Sequence, residues 1–152
     1  METTRSGTDA IELETRIEAS PETVWGFFTD PQLMKRWKGH TAELDPQPGG
    51  IYRVQIGPGI VARGEYVELE PPRRLVFTWG WEGEDSVVQP GASTVEVTLE
   101  AAGDGTRLVL RHLGLPSEDQ RAEHTKGWSR YLGRLEVAAP GGNPGPDQLG
   151  AS

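Results

Sequence analysis

The chain has 152 residues, no cysteine, and a formal charge of −8 from 23 acidic and 15 basic side chains. That length suits one domain burying about 70% of its unfolded surface, and the missing cysteines exclude a disulfide framework, thiolate metal ligands and a thiol nucleophile while fitting the reducing cytoplasm. The acidic balance argues against a nucleic-acid partner, no apolar run approaches the roughly 20 residues of a membrane span, and the N-terminus METTRSGTD lacks the apolar core of a secretion signal.

Ile11, Leu13, Thr15, Ile17 and Ala19 alternate with Glu12, Glu14, Arg16 and Glu18, the period of a strand with one wet face. Two helix starts follow, Ser20-Pro21 and Asp30-Pro31, each pairing an N-cap oxygen with a proline at the first helical position. Val24, Phe27 and Phe28 form one apolar stripe and Leu33 with Trp37 another, so both helices must lie against apolar surface. After a turn at 46–50, Tyr52, Val54 and Ile56 share a face opposite Arg53 and Gln55. Gly57, Pro58 and Gly59 turn the chain into a returning strand over 60–69, which Pro71 and Pro72 end.

Residues 74–81 alternate again, with Leu75, Phe77, Trp79 and Trp81 on one side, and a polar loop over 82–92 leads to a second hairpin. There Val95, Val97 and Leu99 pair across Gly103, Asp104 and Gly105 with Leu108, Leu110 and His112. Ser117 and Gln120 form a capping box, from which His124, Trp128, Tyr131, Leu132, Leu135 and Ala139 recur at helical spacing until Pro140 and Gly141. The organisation expected is disorder over 1–8, one domain over 9–139, and a disordered Pro/Gly-rich tail over 140–152.

Six or seven strands in an antiparallel meander present an apolar face far wider than one helix, roughly 10 Å across. The sheet must therefore curl around the terminal helix, which readily encloses a cavity, with the two short helices plugging one end.

The ordered set ASPETVWGFFTDPQLMKRW, PGGIYRV, GEYVELEPPRRLVFTW and STVEVTLEAAGDGTRLVLRH, with His124, Gly127, Trp128 and Leu132 in the last helix, resembles the START-like helix-grip (SRPBCC) superfamily. Within it the chain is most similar to homologues of the C-terminal domain of the heat-shock protein 90 ATPase activator. The resemblance implies an α+β, β-α-α-β6-α domain whose curved antiparallel sheet wraps a long C-terminal helix around a mostly apolar cavity. Two departures stand out: Lys38 follows Trp37 where many relatives carry a second tryptophan, and 152 residues leave no room for the co-chaperone's separate N-terminal domain.

Histidine is the residue suited to proton work near neutrality. The alternation turns His112 inward, and His124 lies on the apolar stripe of the last helix. Each reads first as a hydrogen-bonded histidine at the rim or in the core and second as a ligand contact, while His40 belongs to a surface loop. Glu65 faces inward if Val67 and Leu69 do, whereas the opposite parity brings Gly64 and Tyr66 inward. Trp37, Tyr52, Phe77, Trp79, Trp128 and Tyr131 supply aromatic walls, with Val54, Val97, Leu110 and Leu132 beside them. No metal-ligand spacing, G-x-S-x-G turn or phosphate loop is present, so no cofactor, metal or catalytic residue is expected.

The expected function is non-enzymatic binding of an apolar or aromatic small molecule in the cavity. A cyclase or hydrolase using His112 or His124 and a co-chaperone-like module acting on a heat-shock chaperone are the alternatives. An edge-strand homodimer is a further expectation, with no residue of its own to carry it.

Overall fold

A computed structural model of the chain describes residues 10–145. The elements run β1 (Ile11–Ile17), α1 (Pro21–Thr29), α2 (Pro31–Trp37), β2 (Thr41–Leu44), β3 (Ile51–Gly57), β4 (Ile60–Glu70), β5 (Arg74–Trp79), β6 (Ser93–Ala102), β7 (Gly105–Leu113) and α3 (Glu118–Ala138). The strands form a single antiparallel sheet in the order β1-β7-β6-β5-β4-β3-β2. Each pair after β1 is thus a hairpin neighbour, and β1 closes on β7, the last strand made. The short edge strand β2 has no period of its own in the sequence; it is defined by pairing Thr41 to Leu44 against Tyr52 to Gln55.

Both short helices start as their sequence dictates. Ser20 Oγ accepts from Thr23 N at 3.2 Å and Asp30 Oδ1 from Gln32 N at 2.9 Å, caps worth about 1 kcal/mol each. Val24, Phe27 and Phe28 are buried as expected, but on α2 the buried residue beside Trp37 is Met34 rather than Leu33. Met34, Trp37 and Lys38 therefore make the inward stripe at i, i+3, i+4, and Lys38, the C-cap residue, is carried inward with its ring neighbour.

The concave face of the sheet holds the core. Tyr52 stacks on Phe77 at 4.2 Å between centroids, Tyr66 meets Tyr52 edge-on, and Tyr66 Oη donates to Phe28 O at 2.9 Å. These contacts settle the parity of β4. Tyr66 is buried and Glu65 is exposed, so Glu65 is not an inward carboxylate. Glycine at 64 is required there, since a Cβ would overlap Thr78 O on β5. A register shift between Tyr66 and Glu68 then re-aims the strand.

The convex face is a lattice of exposed and half-buried ion pairs. Arg107 bridges Glu14 and Glu100, Arg111 bridges Glu12 and Glu96, and Arg53 pairs with Glu82. The long helix packs its His124, Trp128, Tyr131, Leu132, Leu135 and Ala138 side onto the concave face. Within the expected tail, 142–145 are tied to the body: Arg36 donates to Gly142 O, and Arg134 donates to Pro144 O and Gly145 O while its Nε holds Trp37 O. Residues 146–152 of that tail, and 1–8, lie outside the described residues.

Candidate functional site

A pocket of about 380 Å³ opens between the end of β5, the chain just beyond it and the outer half of α3. Its walls are Trp79, Trp81, Trp128 and Tyr131, with Ile56 and Lys38 below and Gln120, Glu123, His124, Lys126, Gly127 and Arg130 around the helix side. Trp81 lies past the last β5 residue, held by an isolated bridge to Ala62, so the strand's alternation continues just long enough to add a second indole to the wall. A Cβ placed on Gly127 would meet nothing within 4 Å, so the helix surface is left open at that point.

Lys38 is the centre of the site, though its sequence context suggested only a lost ring. The residue is 1% exposed, and its Nζ lies 4.1 Å from the ring centroids of both Trp79 and Trp128. Nζ also donates to Tyr52 Oη at 3.3 Å and sits within 6.0 Å of the rings of Trp37, Tyr52 and Tyr131. Cation–π contacts of this desolvated kind are worth about 2 kcal/mol and offset part of the cost of burying an ammonium. The i, i+3, i+4 relation of Met34, Trp37 and Lys38 was the available signal for it.

The two histidines are core partners of these aromatics. Trp128 Nε1 donates to His112 Nδ1 at 3.0 Å, which assigns the imidazole proton to Nε2. Nε2 donates in turn to Ser93 Oγ at 2.9 Å, and that hydroxyl donates to Trp79 O. His124 accepts from Trp81 Nε1 at 3.1 Å through Nε2 and donates from Nδ1 to Gln120 O at 2.8 Å. All four ring nitrogens are thereby engaged. Burial first, then the neighbouring His124 and Lys38, push the His112 imidazole down to about 3. Burial also lowers His124, opposed by its bond to Gln120 and reinforced by Lys38. Burial likewise raises the Tyr52 phenol well above its ordinary value.

Of the residues expected to line a cavity, Trp79, His124, Trp128 and Tyr131 do line this pocket. Trp37, Tyr52, Val54, Phe77, Val97, Leu110, His112 and Leu132 are buried in the core instead and do not line it. Trp37, singled out as a ligand contact, is used internally: its Nε1 donates to Phe27 O at 2.8 Å and its ring packs edge-on to Phe28. Interlocked rings pack the concave face around Tyr52 and Phe77, and the pocket opens at the Trp79 end of it. Glu65 stands on the solvent side, and His40 is exposed as expected.

A family model described as Activator of Hsp90 ATPase homolog 1-like protein matches residues 18–139. The chain belongs to this family. An AHSA1-like protein from Rhizobium etli is 42% identical and superposes with a TM-score of 0.73, covering 97% of this chain and 91% of that one. CalU16 from Micromonospora echinospora is 34% identical with a TM-score of 0.72, covering 90% of this chain and 69% of that one. The Homo sapiens activator of 90 kDa heat shock protein ATPase homolog 1 is 26% identical over 122 residues, 80% of this chain and 34% of that protein. This AHSA1-like chain thus spans about a third of the length of the curated relatives it matches.

Proposed function

We propose that this AHSA1-like protein binds a small aromatic molecule in the pocket beneath α3, acting in the cytoplasm without chemistry of its own. The observation that carries it is the open, three-indole wall of Trp79, Trp81 and Trp128 at the end of an otherwise filled core. Its volume of about 380 Å³ falls in the range of small-molecule sites. The commitment of all four ring nitrogens of His112 and His124 to protein partners favours binding over acid–base catalysis by either residue.

Native mass spectrometry and thermal-shift screening against aromatic metabolites test this, with Gly127→Leu as the control. The open space at Gly127 lets a leucine side chain enter the pocket without striking the backbone. Ligands that bind wild type and lose the variant support the proposal; ligands that bind both alike contradict it.

A second reading rests on the similarity to the Homo sapiens ATPase activator: an interaction module for a 90 kDa heat-shock chaperone. Calorimetry with the purified chaperone tests it, and the absence of heat at micromolar concentrations would remove it.

A further inference from the structure

Two indole–imidazole bonds tie α3 to the sheet, and their donors come from opposite sides. Trp128 of the helix donates to His112 of β7, while Trp81, just beyond β5, donates through Nε1 to His124 of the helix at 3.1 Å. The first pair belongs to the core, where Ser93 holds the other His112 nitrogen. The second belongs to the pocket, since Trp81 and His124 both line it.

Trp81 is held at its backbone more firmly than at its ring. The bridge to Ala62 and a bond from its N–H to Val88 O at 2.8 Å pin the main chain. The indole rests edge-on to Trp79, with centroids 5.3 Å apart, and against the cluster of Ile11, Val88 and Leu115. Its one polar contact among the described residues is His124 Nε2, and that acceptor exists in a single protonation state. His124 Nδ1 donates to Gln120 O at 2.8 Å, so the Nε2 lone pair is present only while the imidazole is neutral, and a second proton would set N–H against N–H. The groups that bear on this imidazole are Lys38 at the end of α2, Glu123 on α3 itself, and His112 of β7, whose ring centroid is 5.2 Å away. Burial is the largest influence and favours the neutral form; Gln120 and Glu123 oppose it and Lys38 adds to it.

We infer that His124 is a positioning residue for the pocket: its neutral Nε2 holds the Trp81 indole in place as a wall, so ligand affinity follows the protonation state of His124. This rests on the proposed aromatic pocket and adds the residue that sets its shape. Protonation takes one hydrogen bond from the closed wall and leaves the indole to its ring contacts alone. A hydrogen bond of ordinary net strength corresponds to about fivefold in affinity. The inner pair gives no such response over the same range, because His112 stays neutral down to about pH 3.

Isothermal titration of the whole chain with naphthylmethanol, a ligand with no charge of its own to titrate, tests this from about pH 7 downward. NMR follows the His124 imidazole in parallel, over the range in which circular dichroism shows the fold intact. Wild type is expected to weaken about fivefold as His124 takes up its proton. At neutral pH His124→Leu is expected to lose about fivefold, and His124→Gln, whose amide oxygen can accept from Trp81, to regain most of that loss; neither should vary with pH. Trp81→Phe keeps an aromatic wall without the N–H, and its affinity should not follow His124 protonation; it carries the test should the leucine variant fail to fold. Wild-type affinity that stays level through the His124 titration, or leucine and glutamine variants that bind alike, overturns the inference and leaves the aromatic pocket standing. Failure of naphthylmethanol and naphthoate alike to bind wild type overturns both.

Discussion

Trp128 joins two otherwise separate features: its Nε1 donates to His112 Nδ1 at 3.0 Å, and its ring centroid lies 4.1 Å from Lys38 Nζ. One indole thus fixes a neutral imidazole on the core side and receives a cation on its face. The pocket wall and the core are consequently one bonded unit, and changes on either side should be read on the other.

Replacing Lys38 by methionine removes the positive charge that helps depress both imidazoles. The His124 pKa is expected to rise in the variant, with burial still holding it under its ordinary value. NMR titration of the imidazole carbon resonances reads this directly, and an unchanged or lower value would contradict the placement of Lys38. Stability should stay within about 1 kcal/mol of wild type or improve, because an apolar side chain of similar volume avoids the desolvation cost.

Acid should destabilise the protein well before its carboxylates titrate. His112 is neutral in the fold down to about pH 3, whereas the unfolded chain takes up a proton near 6.5. Between those values the unfolded state binds more protons, so the stability is fully present above 6.5 and is lost as pH falls, at up to about 1.4 kcal/mol per pH unit. Urea denaturation from pH 7 to 5 should show a fall of about 2 kcal/mol from this residue. In His112→Phe that dependence should flatten; equal slopes in both proteins would contradict it.

Ser93 completes the chain from Trp128 through His112 to Trp79 O. Ser93→Ala leaves the His112 Nε2–H buried without its acceptor, a loss of about 1–3 kcal/mol. A urea midpoint matching wild type would show that the serine is not the acceptor.

The sequence made most of the fold legible and less of the site. The Ser20 and Asp30 caps, the alternation of β1, β3, β5, β6 and β7, and the stripe of α3 all encode local geometry, and each is found. Which inward residues fill space and which border it depends on how rings interlock, and no spacing reports that: Tyr52 and Phe77 stack shut, while Trp79 two positions on stays at the open end. The parity of β4 depended on Gly64 and on the register shift after Tyr66, which reverse a simple alternation. Lys38 was obscured because a charged residue at a helix end ordinarily faces water; only the Met34–Trp37 stripe indicates otherwise.

Gly127 offers a stability test independent of ligand. Alanine there meets open space and improves helix propensity, so Gly127→Ala should raise stability by about 1 kcal/mol. Thermal denaturation giving a lower midpoint would show that the helix surface at 127 is occupied.

The five tryptophans provide the most direct measurement of the central claim, that the end of the core under α3 admits a small aromatic molecule. Their indole N–H resonances, assigned by single substitutions, can be followed while naphthoate is added. The signals of Trp79, Trp81 and Trp128 should move together and saturate, with Trp25, which lies away from the pocket, unmoved. Movement of Trp25 with those three unchanged, or no saturable movement of the three at all, would contradict the account.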